Sequence, residues 1–424
     1  MTGEGWLQAV TSDCFAAPRS RGTARRDNQR QGARTMPDEF RHRHHYVPVW
    51  YQRGFLAEGQ TGFQVLDKRP DVFKDKTGKV RGQARSILAD RSPESFFFEN
   101  DLYTIRWLGR EDDVIERMLF GAIDAHGAIA TRAWLDEDMD VIHQTYGQVY
   151  EFMDALRLRT PRGLRYVRNL MESQGLRLAN QTDVMVAMQR LRRMHCLMWI
   201  EGTLEIVNAD QSPTKFLFTD NPVTLYNQFV FPGDPAVPTG MDPHLHWLGT
   251  QTLWPFDKDR LFILTHTEFA LSPGPNKARK DRTNARYQDP NTGWYMYDDC
   301  LRGRSLTEQQ VLAVNYIMKT RADRYVAGRS EEDLFPERRL KSKRWDTLAT
   351  GLMPPTRMLK RQNGYTMLQT KEGKWHFQDQ FGRKPKNRAE YDREVERAER
   401  VHADLHRILA KHDAEKQTKE AESD

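Results

Sequence analysis

A chain of 424 residues, 38% hydrophobic and 29% charged, is long enough for one large core or two to three domains and has the balance of a globular protein with added polar segments. No apolar run approaches the roughly 18 residues that a bilayer span needs, residues 194–200 being the longest candidate, so no membrane partner is expected. Cys14, Cys196 and Cys300 are widely spaced; they support neither a disulfide framework nor a cysteine zinc site and suit a reducing cytoplasm.

Residues 1–40 read as a disordered basic arm, with Arg19, Arg21, Arg25, Arg26, Arg30 and Arg34 among small and polar residues and no apolar signal core. Met36 is an alternative start. His42 and the run His44-His45-Tyr46-Val47-Pro48 follow. Imidazoles can bind a divalent metal or a phosphate, and Val-Pro holds the segment extended. On an extended backbone His42 and His44 share a face, whereas His44 and His45 point apart.

Residues 62–67 read as a strand and 68–82 as a charged connection. Val114, Ile115, Met118, Leu119, Ala122 and Ile123 lie at helical spacing with Glu116 near the start. Tyr146, Val149, Tyr150, Met153 and Leu156 repeat that pattern. Thr160-Pro161 restarts a helix in cap and first-turn positions. Residues 183–207 predict a long apolar helix passing into a strand. Residues 216–219 and 261–264 are short strands around a Pro-, Gly- and His-rich loop, 231–247. Ser305 and Glu308 have capping-box spacing ahead of the helix that carries Val311, Leu312, Val314, Ile317 and Met318.

The tail differs in charge. Residues 338–388 hold 14 Lys and Arg against 3 acids, whereas residues 1–337 hold 44 against 45. Lys371-Glu372-Gly373 between two aromatic runs is a hairpin signal. Lys341, Lys343, Arg344, Lys360, Arg361, Lys374, Trp375, Arg383 and Lys384 are the expected nucleic-acid contacts, because Lys and Arg bind phosphates by counterion release and aromatics stack on bases. Residues 388–413 read as a charged amphipathic helix.

His44-His45-Tyr46-Val47-Pro48 with Trp50-Tyr51-Gln52-Arg53-Gly54-Phe55-Leu56 resembles the opening of the domain-of-unknown-function family 4238. Later segments are similar to that family in the same order: Asn100-Asp101-Leu102-Tyr103-Thr104, Ile115-Glu116, Arg159-Thr160-Pro161, Thr219-Asp220-Asn221-Pro222, Asn315-Tyr316 and Ala322-Asp323-Arg324-Tyr325-Val326. Thr219 stands where the family usually has Ser. The resemblance covers about residues 41–336 and implies an architecture and a set of residues, not a reaction.

The expected fold is α+β: a helix-rich domain at 41–336 with a small sheet assembled from distant segments, then a basic aromatic hairpin region at 337–388 and a charged C-terminal helix at 389–424. His44, His45, Asp220 and Glu116 are the candidate catalytic residues, with His44 and Asp220 as ligands of a Mg²⁺ or Mn²⁺ ion that activates water. Arg53, Arg159 and Asn221 are candidate substrate contacts. No Walker loop, dinucleotide fingerprint or Gly-x-Ser-x-Gly elbow is present, which puts nucleotide-driven motors and serine hydrolases aside. Two classes remain: a nucleic-acid-directed, metal-assisted phosphodiester hydrolase, and a non-catalytic nucleic-acid-binding or regulatory protein in which the His and Asp motifs are structural.

Overall fold

Two sheets, a short helix that rivets them together and a layer of four longer helices carry the fold. The computed structural model describes residues 42–107, 110–112, 120–237, 241–283, 300–355, 366–378 and 384–421. The N-terminal arm, Glu116, Lys360, Arg361 and Arg383 lie outside the described residues.

The larger sheet runs Thr224–Asn227, Thr250–Pro255, Arg260–Thr265, Thr203–Asn208 and Leu301–Ser305 in spatial order. Its pairings are antiparallel except the last, where Leu301–Ser305 lies parallel to Thr203–Asn208. Every residue of Thr250–Pro255 is buried, so this strand is covered on both faces and lacks in–out alternation. The smaller sheet joins Phe218–Thr219, Tyr325–Gly328, Phe63–Asp67 and Ile87–Arg91. The α+β class is therefore as expected, with strands drawn from distant parts of the chain.

The helix Val49–Arg53 sits between the sheets. Tyr51 stacks near Trp254 of the larger sheet and meets Phe218 of the smaller one edge-on, while its hydroxyl donates to the Pro255 carbonyl at 2.6 Å. A buried phenol keeps its apolar burial and loses no hydrogen bond in this arrangement.

The helical layer comprises Gly121–Asp136, Met139–Leu158, Pro161–Ser173 and Gln181–Ile200. Thr160 caps the third through the Gly163 N–H, with Pro161 in the first turn, as the sequence predicts. Gly163 is required there: a side chain at this position would collide with the Arg157 and Leu158 carbonyls. The fourth helix starts at an Asn180–Asp183 capping box and ends before Gly202, from which Thr203–Asn208 leaves as a separate strand.

Two local expectations shift. The capping box of Glu308–Arg321 is Thr307 with Gln310 rather than Ser305 with Glu308, because Ser305 is still the last residue of a paired strand. Residues 68–82 are more than a connection: Val72–Lys74 and Val80–Gln83 form a hairpin of their own.

The core runs on past residue 336. Trp345, Leu348, Ala349 and Leu352 join the main apolar cluster; Trp345 Nε1 donates to the Asn227 carbonyl at 2.9 Å, and Tyr226 Oη donates to the Trp345 carbonyl at 2.6 Å. Further on, the expected hairpin forms from Thr366–Gln369 and Trp375–Gln378. The helix Arg388–Ala421 packs on it through Tyr391, whose ring meets Phe377 and whose hydroxyl donates to the Trp375 carbonyl. No described helix is long and apolar enough to cross a membrane.

His266 follows the core strand Arg260–Thr265 and is buried, with Nε2 donating to the Leu245 carbonyl at 2.7 Å. Burial lowers its pKa to about 4, against the raising influence of that bond. An unfolded chain takes up this proton near pH 6.5, so between the two values the unfolded state holds more protons and stability falls as pH falls. Urea midpoints measured from pH 7 down to 4 should decline, and His266→Gln should remove about one proton's worth of that slope, about 1.4 kcal/mol per pH unit. An unchanged slope in the variant would assign the decline to other groups.

Candidate functional site

An open cleft of about 580 Å³ lies where the smaller sheet, the His-His-Tyr-Val-Pro segment and the start of the helix Pro161–Ser173 meet. Arg69, Arg162, Arg165 and Arg324 line it together with Glu99, Asp220 and Asp323, and Tyr46, Phe98 and Tyr325 supply its rings. Arg162 and Arg165 come from the first turns of that helix, whose N-terminal end carries partial positive charge and favours anions. Arg69 follows the strand Phe63–Asp67, and Arg324 immediately precedes Tyr325–Gly328.

Asp220 builds the floor. Its carboxylate is buried and accepts the backbone N–H groups of Asp323, Arg324 and Tyr325 at 2.8, 2.6 and 2.8 Å. Burial raises its pKa, with those N–H bonds opposing the shift. With both oxygens taken up, the group acts as a pin between two chain segments. Asn221 is equally buried, and its amide donates to Asp242 and to the Arg321 carbonyl.

Asp323 is the cleft's most revealing side chain. Oδ1 faces Arg69 at 2.8 Å and Oδ2 faces Arg165 at 2.6 Å. Its partial burial works against ionisation, but Arg165, Arg69 and Arg162 win and hold its carboxyl below the usual range. Two guanidinium groups from different elements thus converge on one anionic group in an open cavity. Arg162 pairs with buried Asp242 at 2.7 Å, and Arg324 makes a two-pronged contact with Asp67 and reaches Asp71.

Glu99 stands apart from these pairs. Its pKa is raised, first by burial and further by Asp323, with Arg165 pulling the other way. A cleft carboxyl with this shift has the character needed for proton transfer. Lys68, just behind the floor, donates to the Lys319, Thr320 and Ala322 carbonyls at the end of the helix Glu308–Arg321. Burial brings its pKa down to about 8.

The motif reaches the cleft through Tyr46, not through its histidines. His44 is fully buried, stacked on Tyr103 at 5.4 Å, and its Nδ1 accepts the Tyr103 N–H at 3.0 Å, which sets the Nε2–H tautomer. His45 is half-buried, with Nε2 donating to the Glu94 carbonyl at 3.2 Å, and burial lowers its pKa. Arg53 is exposed and paired with Glu94. Arg159 is wholly enclosed, donating to the Tyr46 carbonyl and to Asp124. His44 and Asp220 thus have separate partners, and among the described residues no group of three or more His, Cys, Asp or Glu is arranged to hold a metal ion. Of the tail residues, Lys341, Lys343, Arg344, Lys374 and Lys384 are exposed, while Trp375 is partly covered and stacks near Phe377.

Sequence reasoning missed Tyr46, Glu99, Arg162, Arg165 and Arg69 as site residues. The available signal was arginine at i and i+3 in the first two turns of a Pro-started helix, a placement suited to anions.

A protein-family model described as "Protein of unknown function (DUF4238)" matches residues 43–332. The chain belongs to this family, as its motifs imply. No curated protein and no solved structure matches it.

Removal of the Asp220 carboxylate should leave three buried N–H groups without an acceptor, at roughly 1–3 kcal/mol each before relaxation. Asp220→Ala should therefore lower stability by about 3 kcal/mol in urea denaturation. A loss under about 1 kcal/mol would show that the loop does not depend on the pin.

Proposed function

We propose that the protein binds nucleic acid by its phosphodiester backbone in the arginine cleft. The observation that carries this reading is the convergence of Arg69 and Arg165 on the Asp323 carboxylate, which marks a position where an anion is held by two guanidinium groups. A phosphate entering the cleft competes with Asp323 for those partners, and Tyr46, Phe98 and Tyr325 give adjoining sugars or bases an apolar wall. Nearly balanced charge in the resting cleft, four arginines against three carboxyl groups, favours selective exchange over indiscriminate anion binding. The exposed lysines of the 338–388 segment add affinity without selectivity.

A hydrolytic reading is favoured by one further feature, the place of the Glu99 carboxyl in the cleft wall among the arginines, together with its raised pKa. In this reading Glu99 moves a proton at the reacting phosphodiester while the arginines stabilise charge on its oxygens. A Mg²⁺ or Mn²⁺ ion would supply a Lewis acid, and Glu99, the lining carboxyl outside the arginine pairs, would help to hold it.

The test compares the intact protein with Arg165→Glu, Asp323→Asn, Glu99→Gln, His45→Ala and a tail variant carrying Lys341→Ala, Lys343→Ala and Lys374→Ala, three exposed positions, against RNA, single-stranded DNA and duplex DNA. Arg165→Glu should weaken binding by about tenfold or more, and Asp323→Asn should strengthen it. Unchanged affinity in both would remove the cleft reading. Cleavage that Glu99→Gln abolishes while binding persists selects the hydrolase, and assays with Mg²⁺, Mn²⁺ or chelator decide the metal requirement. Salt-sensitive binding with no cleavage in any of these conditions selects the non-catalytic class.

A further inference from the structure

The hairpin Val72–Lys74/Val80–Gln83 projects from the rim of the cleft. Its base is tied there: Arg69 lines the cavity, Asp71 Oδ1 accepts from Arg324 at 3.0 Å, and the Ala84 N–H donates to the Asp71 carbonyl at 2.8 Å. The tip is organised by Asp75, which accepts from the Thr77 and Lys79 N–H groups and from the Thr77 hydroxyl, with Gly78 supplying the positive φ the turn requires.

From residue 72 to 85 the segment has five basic residues and one acid, Asp75. That acid is already spent on the turn and on Arg81. Lys74, Lys76, Lys79 and Arg85 are exposed and, among the described residues, make no ion pair. Phe73 is 57% exposed and Val80 58%. Phe73 stands opposite Gly82, which offers it no cross-strand side chain, so the ring rests along backbone and stays open to solvent. A two-stranded ribbon gains little stability of its own and has no folding reason to display an aromatic ring.

We propose that this hairpin is a docking arm for single-stranded nucleic acid, with Phe73 stacking on an unpaired base and the lysines tracking phosphates that continue over Arg69 into the cleft. The inference rests on the cleft's taking a phosphodiester, and it names the substrate as single-stranded. Duplex DNA keeps its base faces stacked on one another and offers none to Phe73, whereas every unpaired base has a face to give. A membrane surface fits poorly, because the pleat sends Phe73 to one face of the ribbon and Val72 and Val80 to the other, so neither face is apolar throughout.

The experiment uses the full chain with Phe73→Ala, Phe73→Trp and the pair Lys74→Ala with Lys79→Ala. Fluorescence anisotropy is read against an unstructured oligouridylate, a duplex, a mononucleotide and anionic phosphatidylserine vesicles. Phe73→Ala should weaken oligouridylate binding about tenfold, the loss expected of one stacked base, and leave mononucleotide binding unchanged; Phe73→Trp should retain it. The double lysine variant should flatten the salt dependence by about two ions' worth. Equal affinity of Phe73→Ala and the parent chain for oligouridylate overturns the arm. An equal loss on duplex, or capture by vesicles that depends on Phe73, overturns the single-strand assignment. Arg165→Glu, run alongside, separates the two readings: loss of mononucleotide binding there with no effect of Phe73→Ala leaves the cleft standing and removes the arm, and the reverse pattern removes the cleft alone.

Discussion

A buried carboxylate that accepts three consecutive backbone N–H groups fixes two stretches of chain more tightly than apolar packing alone, because each bond is charge-assisted and none can be replaced by solvent. Asp220 does this for residues 323–325, and its own N–H donates back to the Tyr325 carbonyl at 3.1 Å. The strand Tyr325–Gly328 thereby enters the smaller sheet at a set register, and three successive side chains are aimed at once. Asp323 turns to Arg69 and Arg165, Arg324 to Asp67, and Tyr325 to Phe96 and Phe97. Two of the cleft's charged side chains, Asp323 and Arg324, and its Tyr325 ring are placed by that one turn.

Arg159 plays the matching part on the helical side. It donates to the Tyr46 carbonyl and to Asp124, and the Tyr103 hydroxyl donates to its own carbonyl. The motif segment, the Gly121–Asp136 helix and the Arg159-Thr160-Pro161 turn are thus joined by one enclosed guanidinium, which also sets where Arg162 and Arg165 emerge. A buried guanidinium is tolerable only with such partners. Two segments that mark the family in the sequence, the opening motif and the Arg-Thr-Pro turn, are in this way one structural joint.

Much of the fold was legible in the sequence because its signals are local. The Thr160-Pro161 cap, the apolar spacing of residues 146–156 and the turn at Lys371-Glu372-Gly373 each act within a few residues, and each element formed. The site was not legible, because Tyr46, Glu99, Arg165 and Asp323 share no local pattern and meet only when strands from opposite ends of the domain pair. The histidines drew attention as ligand types, yet the strand ends at His45, and the bend that follows carries Tyr46, not a histidine, into the cleft lining. Only the Tyr103 N–H, far along the chain, decides what His44 does with its Nδ1. Asp220 stood out in the sequence as a loop-edge carboxylate and candidate ligand, whereas its three partners are backbone groups, which carry no residue signature at all.

Trp345 closes the larger sheet from beyond the family-like region, filling a slot formed by Tyr226 and Asn227. A chain made from its N-terminus inward therefore cannot complete its core when the last strand of that region leaves the ribosome. Until residues 345–352 follow, the slot stays open and the edge strand Thr224–Asn227 lacks its cover. Synthesis order makes this stretch a latch: it commits the domain to its folded state only once the chain has run well past its final strand.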